Sequence, residues 1–356
     1  MVKENIASIL AAYSFNSFED FSFHPFGAGL IHGTYLIDSG EDKYILQEFN
    51  TTVFQFPERI AHNQRQIKSQ GDDSLLPFTL PLPIPNSAQK LITEWNGKLF
   101  RLFEFVSGQT IQQITNLNQA YLASKAYGVF ADWGKIVETH KLQECIPDFH
   151  RLDLRFATLQ KVAADKESIS IEDQEILDFY LGQKALIAEY KKYQSVLPHR
   201  LTHNDTKINN LIFSNDFSKV EALVDLDTLM DGYLMYDFGD LVRTVACSES
   251  ETSQYWDNIK LEIPVFEELL KGYWEGVNSL ATAEETKSLI LGGEVMTCVM
   301  GLRFLTDYLQ GNIYYRVEYP TQNFHRAKNQ MLLLKSIQAS KAELTEIWKR
   351  VTQSSN

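Results

Sequence analysis

Residues 201–227 read LTHNDTKINNLIFSNDFSKVEALVDLD, and this stretch constrains the rest of the chain more than any other. His203-Asn204-Asp205 opens a loop, and Asn210 follows Asp205 by five residues. Two short β-type runs come next, 211–213 and 220–224, joined by the polar turn 214–219; the second run ends at Asp225. A carboxylate and an amide on one tight loop, with a second carboxylate at the end of a nearby strand, are what phosphoryl transfer from a magnesium nucleotide needs. In that reading Asp205 takes the proton of an acceptor hydroxyl, and Asn210 and Asp225 hold Mg2+. Lys207 reaches the transferring phosphate as a point charge. The spacing is that of a kinase catalytic loop with Asn in place of Arg before the Asp. The plain alternative is a polar turn between hairpin strands, with Asp205 and Asn210 as turn formers. The strand–turn–strand context, closed by Val-Asp-Leu-Asp, favours the catalytic reading.

Asp237-Phe238-Gly239 spells the tripeptide that binds metal in protein kinases, but it lies too far downstream and does not end a strand paired with the catalytic hairpin. Asp237 and Asp240 are read instead as capping and tying down a helix that begins near Leu241.

With HNDTKINNLIF, VDLDTLM, YDFGDLVR and the downstream GLRFLTDYLQGNIYY in view, the chain resembles the aminoglycoside phosphotransferase and choline kinase superfamily of small-molecule kinases. Within it the last motif is similar to the N-acetylhexosamine 1-kinase branch. The resemblance runs from about Phe26 to Tyr315, nearly the whole chain. It implies ATP as co-substrate with Mg2+, an adenine ring bonded to backbone at a strand-to-loop hinge, and the anomeric hydroxyl of N-acetylglucosamine or N-acetylgalactosamine as acceptor. The product would enter amino-sugar salvage. It also implies that Arg303 and Tyr314 join Asp205 in the acceptor pocket. On a helix Arg303 and Asp307 share a face, so an Arg–Asp pair is the plain alternative for Arg303.

The N-terminal third reads as strands. Gly27 and Gly29 lie in a turn that can cover a nucleotide triphosphate, because backbone approaches closely where there is no Cβ. The related kinases suggest His-Ile-Asn-Asp where this chain has Leu30-Ile31-His32-Gly33, which weakens any side-chain contact from this loop. Tyr44-Ile45-Leu46-Gln47 falls on the register where many kinases carry a phosphate-binding lysine. Gln47 has no charge but its amide can donate. Pro57 and Gly71 bracket a helix over 57–70. Asn96-Gly97 marks a hairpin between 91–94 and 99–106. Glu104 and Val106 supply the hinge backbone, with Phe103 and Phe105 as candidates for core packing.

From Gln109 onward the pattern becomes helical, with helices over 119–140, 171–193, 240–248, 264–274, 283–308 and 321–349. The fold class is therefore α+β, a two-lobe protein-kinase-like arrangement. A nucleotide-covering lobe spans 1–107, and a helical catalytic and substrate-binding lobe spans 108–356, with the nucleotide cleft between them.

Length and charge fit. The 356 residues can bury a substantial core, and a formal charge of −13 argues against nucleic acid or an anionic membrane as partner. Cys145, Cys247 and Cys298 form no Cys-x-x-Cys pair, which suggests reduced thiols and a cytoplasmic setting. Residues 1–10 do not read as a signal peptide, and no apolar run approaches the length of a membrane span. His24, His62, His140, His150 and His199 lack metal-ligand spacing, and His203 is expected to order the loop rather than take a proton. Oligomeric state is left open. Two other functions remain in play. One is a different acceptor, such as an aminoglycoside, choline or homoserine. The other is a catalytically silent nucleotide-binding protein, favoured by the missing strand lysine.

Overall fold

Alternating apolar residues in the N-terminal third fold into a five-stranded antiparallel sheet. The structure, a computed structural model, describes residues 3–13, 21–27, 32–40, 42–52, 54–166 and 170–353. The strands are β1 (Ser22–Pro25), β2 (Gly33–Asp38), β3 (Lys43–Glu48), β4 (Thr93–Trp95) and β5 (Lys98–Glu104), in the order β1-β2-β3-β5-β4. Ile37, Leu46, Phe100 and Leu102 share the face that buries Ile6, Ile9 and Leu10 of helix α1 (Lys3–Leu10). Asn96 and Gly97, at φ 48° and 73°, make the tight turn that their sequence predicts. Helix α2 (Pro57–Gln70) runs over the expected residues, with Pro57 in its first turn.

The rest is helical around two small ribbons. Helices α3 (Leu117–Trp133), α4 (Leu152–Ala164), α5 (Ile171–Leu181) and α6 (Lys184–Gln194) precede the ribbons. The ribbons are β6 (Arg200–Thr202) with β9 (Met230–Gly232), and β7 (Leu211–Phe213) with β8 (Val220–Leu223). Helices α7 (Leu234–Val245), α8 (Ile263–Val277), α9 (Ala283–Leu309), α10 (Gln322–Ala339) and α11 (Lys341–Gln353) follow.

Several expected boundaries shift. The helix expected over 119–140 ends at Trp133, because Gly134 lies against Leu201, 2.9 Å from where its Cβ would sit. The spans 171–193 and 321–349 each break into two helices, at Gly182-Gln183 and at Ser340. Helix α4 and the β6–β9 ribbon were not anticipated. Helix α7 starts at Leu234 rather than near Leu241. Gly239, in the misleading tripeptide, is a packing residue. A Cβ there would lie 2.2 Å from the Gly292 carbonyl, so α7 and α9 cross backbone to backbone.

Helix α9 also corrects the membrane reading. It is long and apolar enough to cross a membrane by length and composition, but 83% of its most apolar stretch is buried inside the protein. Val295, Met296, Val299, Leu302, Phe304 and Leu305 are all fully covered, so its all-round apolarity is that of a central core helix.

The connection between sheet and helices is fixed by backbone bonds. Gln109 exchanges two bonds of 2.8 Å with Phe213 on β7. Gly108 beside it, at φ +147°, leaves 2.4 Å between the Phe213 carbonyl and any added Cβ.

Candidate active site

The catalytic loop leaves β6 at Thr202 and reaches β7 at Leu211, and side chains from the surrounding helices and turns hold much of its backbone. Asp237, in the first turn of α7, accepts the N–H of His203 (2.9 Å) and of Asn204 (2.8 Å) through its two carboxylate oxygens. Its carboxylate therefore braces the catalytic loop and does not cap its own helix. Asp240 likewise caps nothing; it pairs with Arg243 at 2.8 Å. Thr206 Oγ1 donates to the Asp237 carbonyl, and Tyr127 Oη to that of Lys207. His203 is fully buried. Its Nε2 donates to the Val224 carbonyl (3.1 Å) and its Nδ1 accepts from the Asp205 N–H (3.3 Å), so it orders the loop as expected.

Asn204 makes the turn possible. Its φ of 64° lies in the left-handed region that Asn tolerates, and its amide donates to the carbonyls of Thr202 (3.2 Å) and Thr228 (3.0 Å). Asp225, at φ 60° and ψ 57°, ends β8 in the same conformation. Asn210 and Asp225 come together because the Val224 N–H bonds the Asn210 carbonyl (2.9 Å). The Asn210 amide nitrogen donates to the Asp205 carbonyl (2.9 Å) and carboxylate (3.2 Å), which leaves its Oδ1 as the donor atom for a cation. Lys207 Nζ lies 2.9 Å from Asp205 Oδ1.

The carboxyls differ by their neighbours. Burial raises the Asp205 pKa, but Lys207, His203 and Arg243 outweigh it and hold the group below its ordinary value, ionised and ready to accept a proton. Burial, then Asp227 and Asp205, push Asp225 up to about 7. An amide oxygen and a carboxylate in negative surroundings are hard donors that fit Mg2+, which characteristically takes few protein ligands beside substrate phosphates. Among the described residues no set of three or more His, Cys, Asp or Glu forms a metal cage.

The nucleotide-side residues are placed as follows. Gly27 sits at φ +77° after β1, with nothing within 4 Å of its Cβ direction; Gly29 lies outside the described residues. The Phe105 N–H bonds the Lys43 carbonyl, so the backbone groups of Glu104 and Val106 on either side point away from β3. Gln47 faces Arg101 across the ladder, and its Oε1 accepts from Arg101 Nη2 at 2.5 Å. Arg101 in turn makes a two-pronged pair with Asp227, at 2.5 and 2.9 Å. His32 Nε2 is 3.1 Å from the same carboxylate, so this side chain is taken up by Asp227. Neither Arg101 nor Asp227 stood out in the sequence, because only the sheet register sets Arg101 beside Gln47.

The residues expected on the acceptor side lie around Arg303 on α9. The Arg303–Asp307 pair does not form. Asp307 is taken up by the N–H groups of Tyr314 (2.7 Å) and Tyr315 (3.0 Å) and by Asn323 (2.9 Å). Arg303 is 9% exposed and has no carboxylate partner among the described residues; Met300 Sδ accepts from it at 3.5 Å. Its guanidinium stacks on Phe149 (4.7 Å), Tyr314 (5.4 Å) and Tyr315 (5.4 Å). The cluster reaches the catalytic loop through His150, which packs on Phe149 and bonds the Asn204 carbonyl at 2.9 Å. Arg155 lies close enough to Arg303 that burial and the second guanidinium lower its pKa to about 10. Phe149 and Arg155 escaped notice, and His150 was read only as a histidine without metal-ligand spacing, because no spacing ties residues 149–155 to 303–315.

A model of the phosphotransferase enzyme family matches residues 22–269, more than half of the chain. Among solved structures, an aminoglycoside phosphotransferase from Alicyclobacillus acidocaldarius is similar at TM-score 0.65 and 13% identity, covering 98% of this chain and 97% of that one. A spectinomycin phosphotransferase in complex with ADP and spectinomycin matches at 0.57 and 12%, covering 96% and 99%. A choline kinase from Cryptosporidium parvum Iowa II matches at 0.57 and 12%, covering 99% of each. At these identities the structures speak to the fold, which they share with this chain from end to end. With the family model spanning the sheet, the catalytic loop and the start of α8, the chain belongs to the phosphotransferase enzyme family, whose members transfer phosphate to hydroxyl groups.

Proposed function

We propose that the protein transfers the γ-phosphoryl group of ATP, with Mg2+, to a hydroxyl of a neutral sugar, and that this is the anomeric hydroxyl of an N-acetylhexosamine. The observation that carries the choice of acceptor is Arg303. It is a nearly buried guanidinium, boxed by aromatic rings and without an acid partner, in a cluster that reaches the catalytic loop. An uncompensated buried charge costs on the order of several kcal/mol, which a ligand rich in oxygen acceptors would offset. Sugar hydroxyls and an N-acetyl carbonyl provide such acceptors, and the rings of Tyr314 and Phe149 suit a sugar face. A cationic acceptor such as choline or an aminoglycoside would meet Arg303 and Arg155 with like charge.

In the reaction Asp205 accepts the proton of the sugar hydroxyl as its oxygen bonds to the γ-phosphorus. The bond to the β–γ bridging oxygen breaks, and ADP leaves. Lys207 keeps Asp205 ionised and adds positive charge on the phosphate side. Asn210 and Asp225 would hold Mg2+, which when bound neutralises charge on the phosphate oxygens. The Asp237 brace keeps Asp205 in place, so positioning and electrostatics supply most of the rate. The backbone of Glu104 and Val106 is the proposed adenine contact, and the glycine turn at Gly27 the proposed phosphate cover. The divisions 1–107 and 108–356 stand as the proposed nucleotide and acceptor lobes.

A coupled assay of ADP release tests this over N-acetylglucosamine, N-acetylgalactosamine, glucose, choline, ethanolamine and spectinomycin. Turnover with the N-acetylhexosamines, giving a 1-phosphate by phosphorus NMR, is the expected result. Preferred turnover of an amine would overturn the acceptor assignment.

A further inference from the structure

Gln47 stands where many kinases carry a charged strand residue, and the buried positive charge of this sheet lies one strand over, on Arg101. Arg101 is 2% exposed. Both of its terminal nitrogens are engaged, Nη1 with Asp227 Oδ1, and Nη2 with Asp227 Oδ2 and Gln47 Oε1. Phe49 and Phe103 lie against its guanidinium at 4.6 and 5.4 Å.

The acid on the other side does not belong to the sheet. Asp227 sits in the short turn Leu226–Thr228, two residues past Asp225. It is 2% exposed and also receives His32 Nε2 at 3.1 Å and the amide of Gln64 on α2 at 3.4 Å. The helix after β3 thus offers a neutral amide, and the acid partner of the sheet's cation stands on the loop that carries Asp225. Three residues from the N-terminal region, His32, Gln64 and Arg101, converge on one carboxylate of the helical region.

We infer that Arg101 is a positioning residue that grips Asp227 and thereby sets the Asp225 loop against the nucleotide-covering sheet. A guanidinium suits this task better than an ammonium, because its rigid fork fixes both carboxylate oxygens and so the plane of the side chain. With its terminal nitrogens engaged in the pair, Arg101 acts on the nucleotide through the metal-holding loop and not by touching phosphate. The inference rests on the reading that Asn210 and Asp225 hold Mg2+, and its test needs no knowledge of the acceptor.

The test is calorimetric titration of the full chain with ADP, with and without Mg2+. Removing one partner of a buried pair is strongly destabilising, whereas replacing both is often close to neutral, so the variant is Arg101→Gln with Asp227→Asn. The wild type should gain affinity for ADP when Mg2+ is added. In the double variant metal-free ADP binding should stay within about twofold, and the gain from Mg2+ should shrink at least about tenfold. Arg101→Lys, which keeps the charges balanced but loses the fork, should lose about three- to fivefold of that gain and carries the test if the double variant does not fold. An unchanged Mg2+ gain in the folded variant would reduce the pair to a structural contact and overturn the inference. An equal loss with and without metal would overturn it too, by making Arg101 a direct nucleotide ligand. A wild type with no Mg2+ gain would refute the metal assignment and this inference together.

Discussion

Asp205 belongs to the catalytic loop and His150 bonds the loop's Asn204 carbonyl, and burial acts on the two in opposite senses. Asp205 is kept ionised by Lys207 and its other cationic neighbours, so Asp205→Asn should remove the proton acceptor while leaving Asn210 and Asp225 in place. Turnover should fall by about 10²–10⁴-fold, with ADP affinity within a few-fold of wild type by calorimetry. His150 is pushed from its ordinary 6.5 down to about 3, by burial first and then by Arg303. The unfolded chain protonates this group near pH 6.5, and the folded chain does so near 3. Stability is therefore present in full above pH 6.5 and is lost as pH falls through that window, by up to about 5 kcal/mol. Urea unfolding from pH 7 to pH 4 should show a shallower acid limb for His150→Gln than for wild type. Equal limbs would place the sensitivity elsewhere.

Gly301 lies two residues before Arg303, and a Cβ on it would stand 1.8 Å from the Tyr180 hydroxyl. That hydroxyl donates to the Ala327 carbonyl at 2.8 Å, so α5, α9 and α10 meet at this point. Gly301→Ala should destabilise by about 1–3 kcal/mol, read by denaturant titration, and raise KM for the acceptor more than for ATP as α9 shifts. Elements of this kind were legible only in part. The catalytic hairpin, the strands of the N-terminal sheet and α2 could be read because turn residues and period-2 patterns are local signals. Helix breaks at Gly182 and Ser340 could not, since neither position carries a proline and apolar spacing runs on through both. The true neighbour of Arg303 was hidden for another reason. Spacing four apart on one helix face suggested Asp307, but Asp307 is spent on the backbone of the following turn. Arg101 and Asp227, 126 residues apart, are joined only through sheet register and lobe contact. The tripeptide at 237–239 misled by its spelling; its Asp serves the loop and its Gly serves the α7–α9 crossing.

At the scale of the molecule, the sheet has its own small core, in which Ile37, Leu46, Phe100 and Leu102 pack on α1, apart from the large cores of the helical region. A ligand bridging the two regions should therefore protect the sheet most. Mg2+ and ADP at about 100 times Kd should add about 2.7 kcal/mol of stability. Hydrogen exchange should slow chiefly in 22–48 and 93–106. Uniform slowing across α8 to α11 would mean that the sheet is not the weaker unit.

The stitch between Gln109 and Phe213 has a mechanical meaning. Because the chain just past Gly108 is bonded both ways to the catalytic hairpin, it travels with the helical region. On this side a rotation between the halves must be absorbed in the three residues from Val106 to Gly108, where Gly108 admits no Cβ against the Phe213 carbonyl; at the chain's other crossing Thr79 is likewise bonded both ways to β8, through Glu221 and Leu223. The fulcrum therefore sits beside the proposed adenine contact. Phe26, next to Gly27, packs edge-on against Phe105 at 5.8 Å, so the glycine turn lies close to this fulcrum and moves through only a small arc with the adenine edge. Such a hinge would keep the glycine turn and the base in register as the cleft opens.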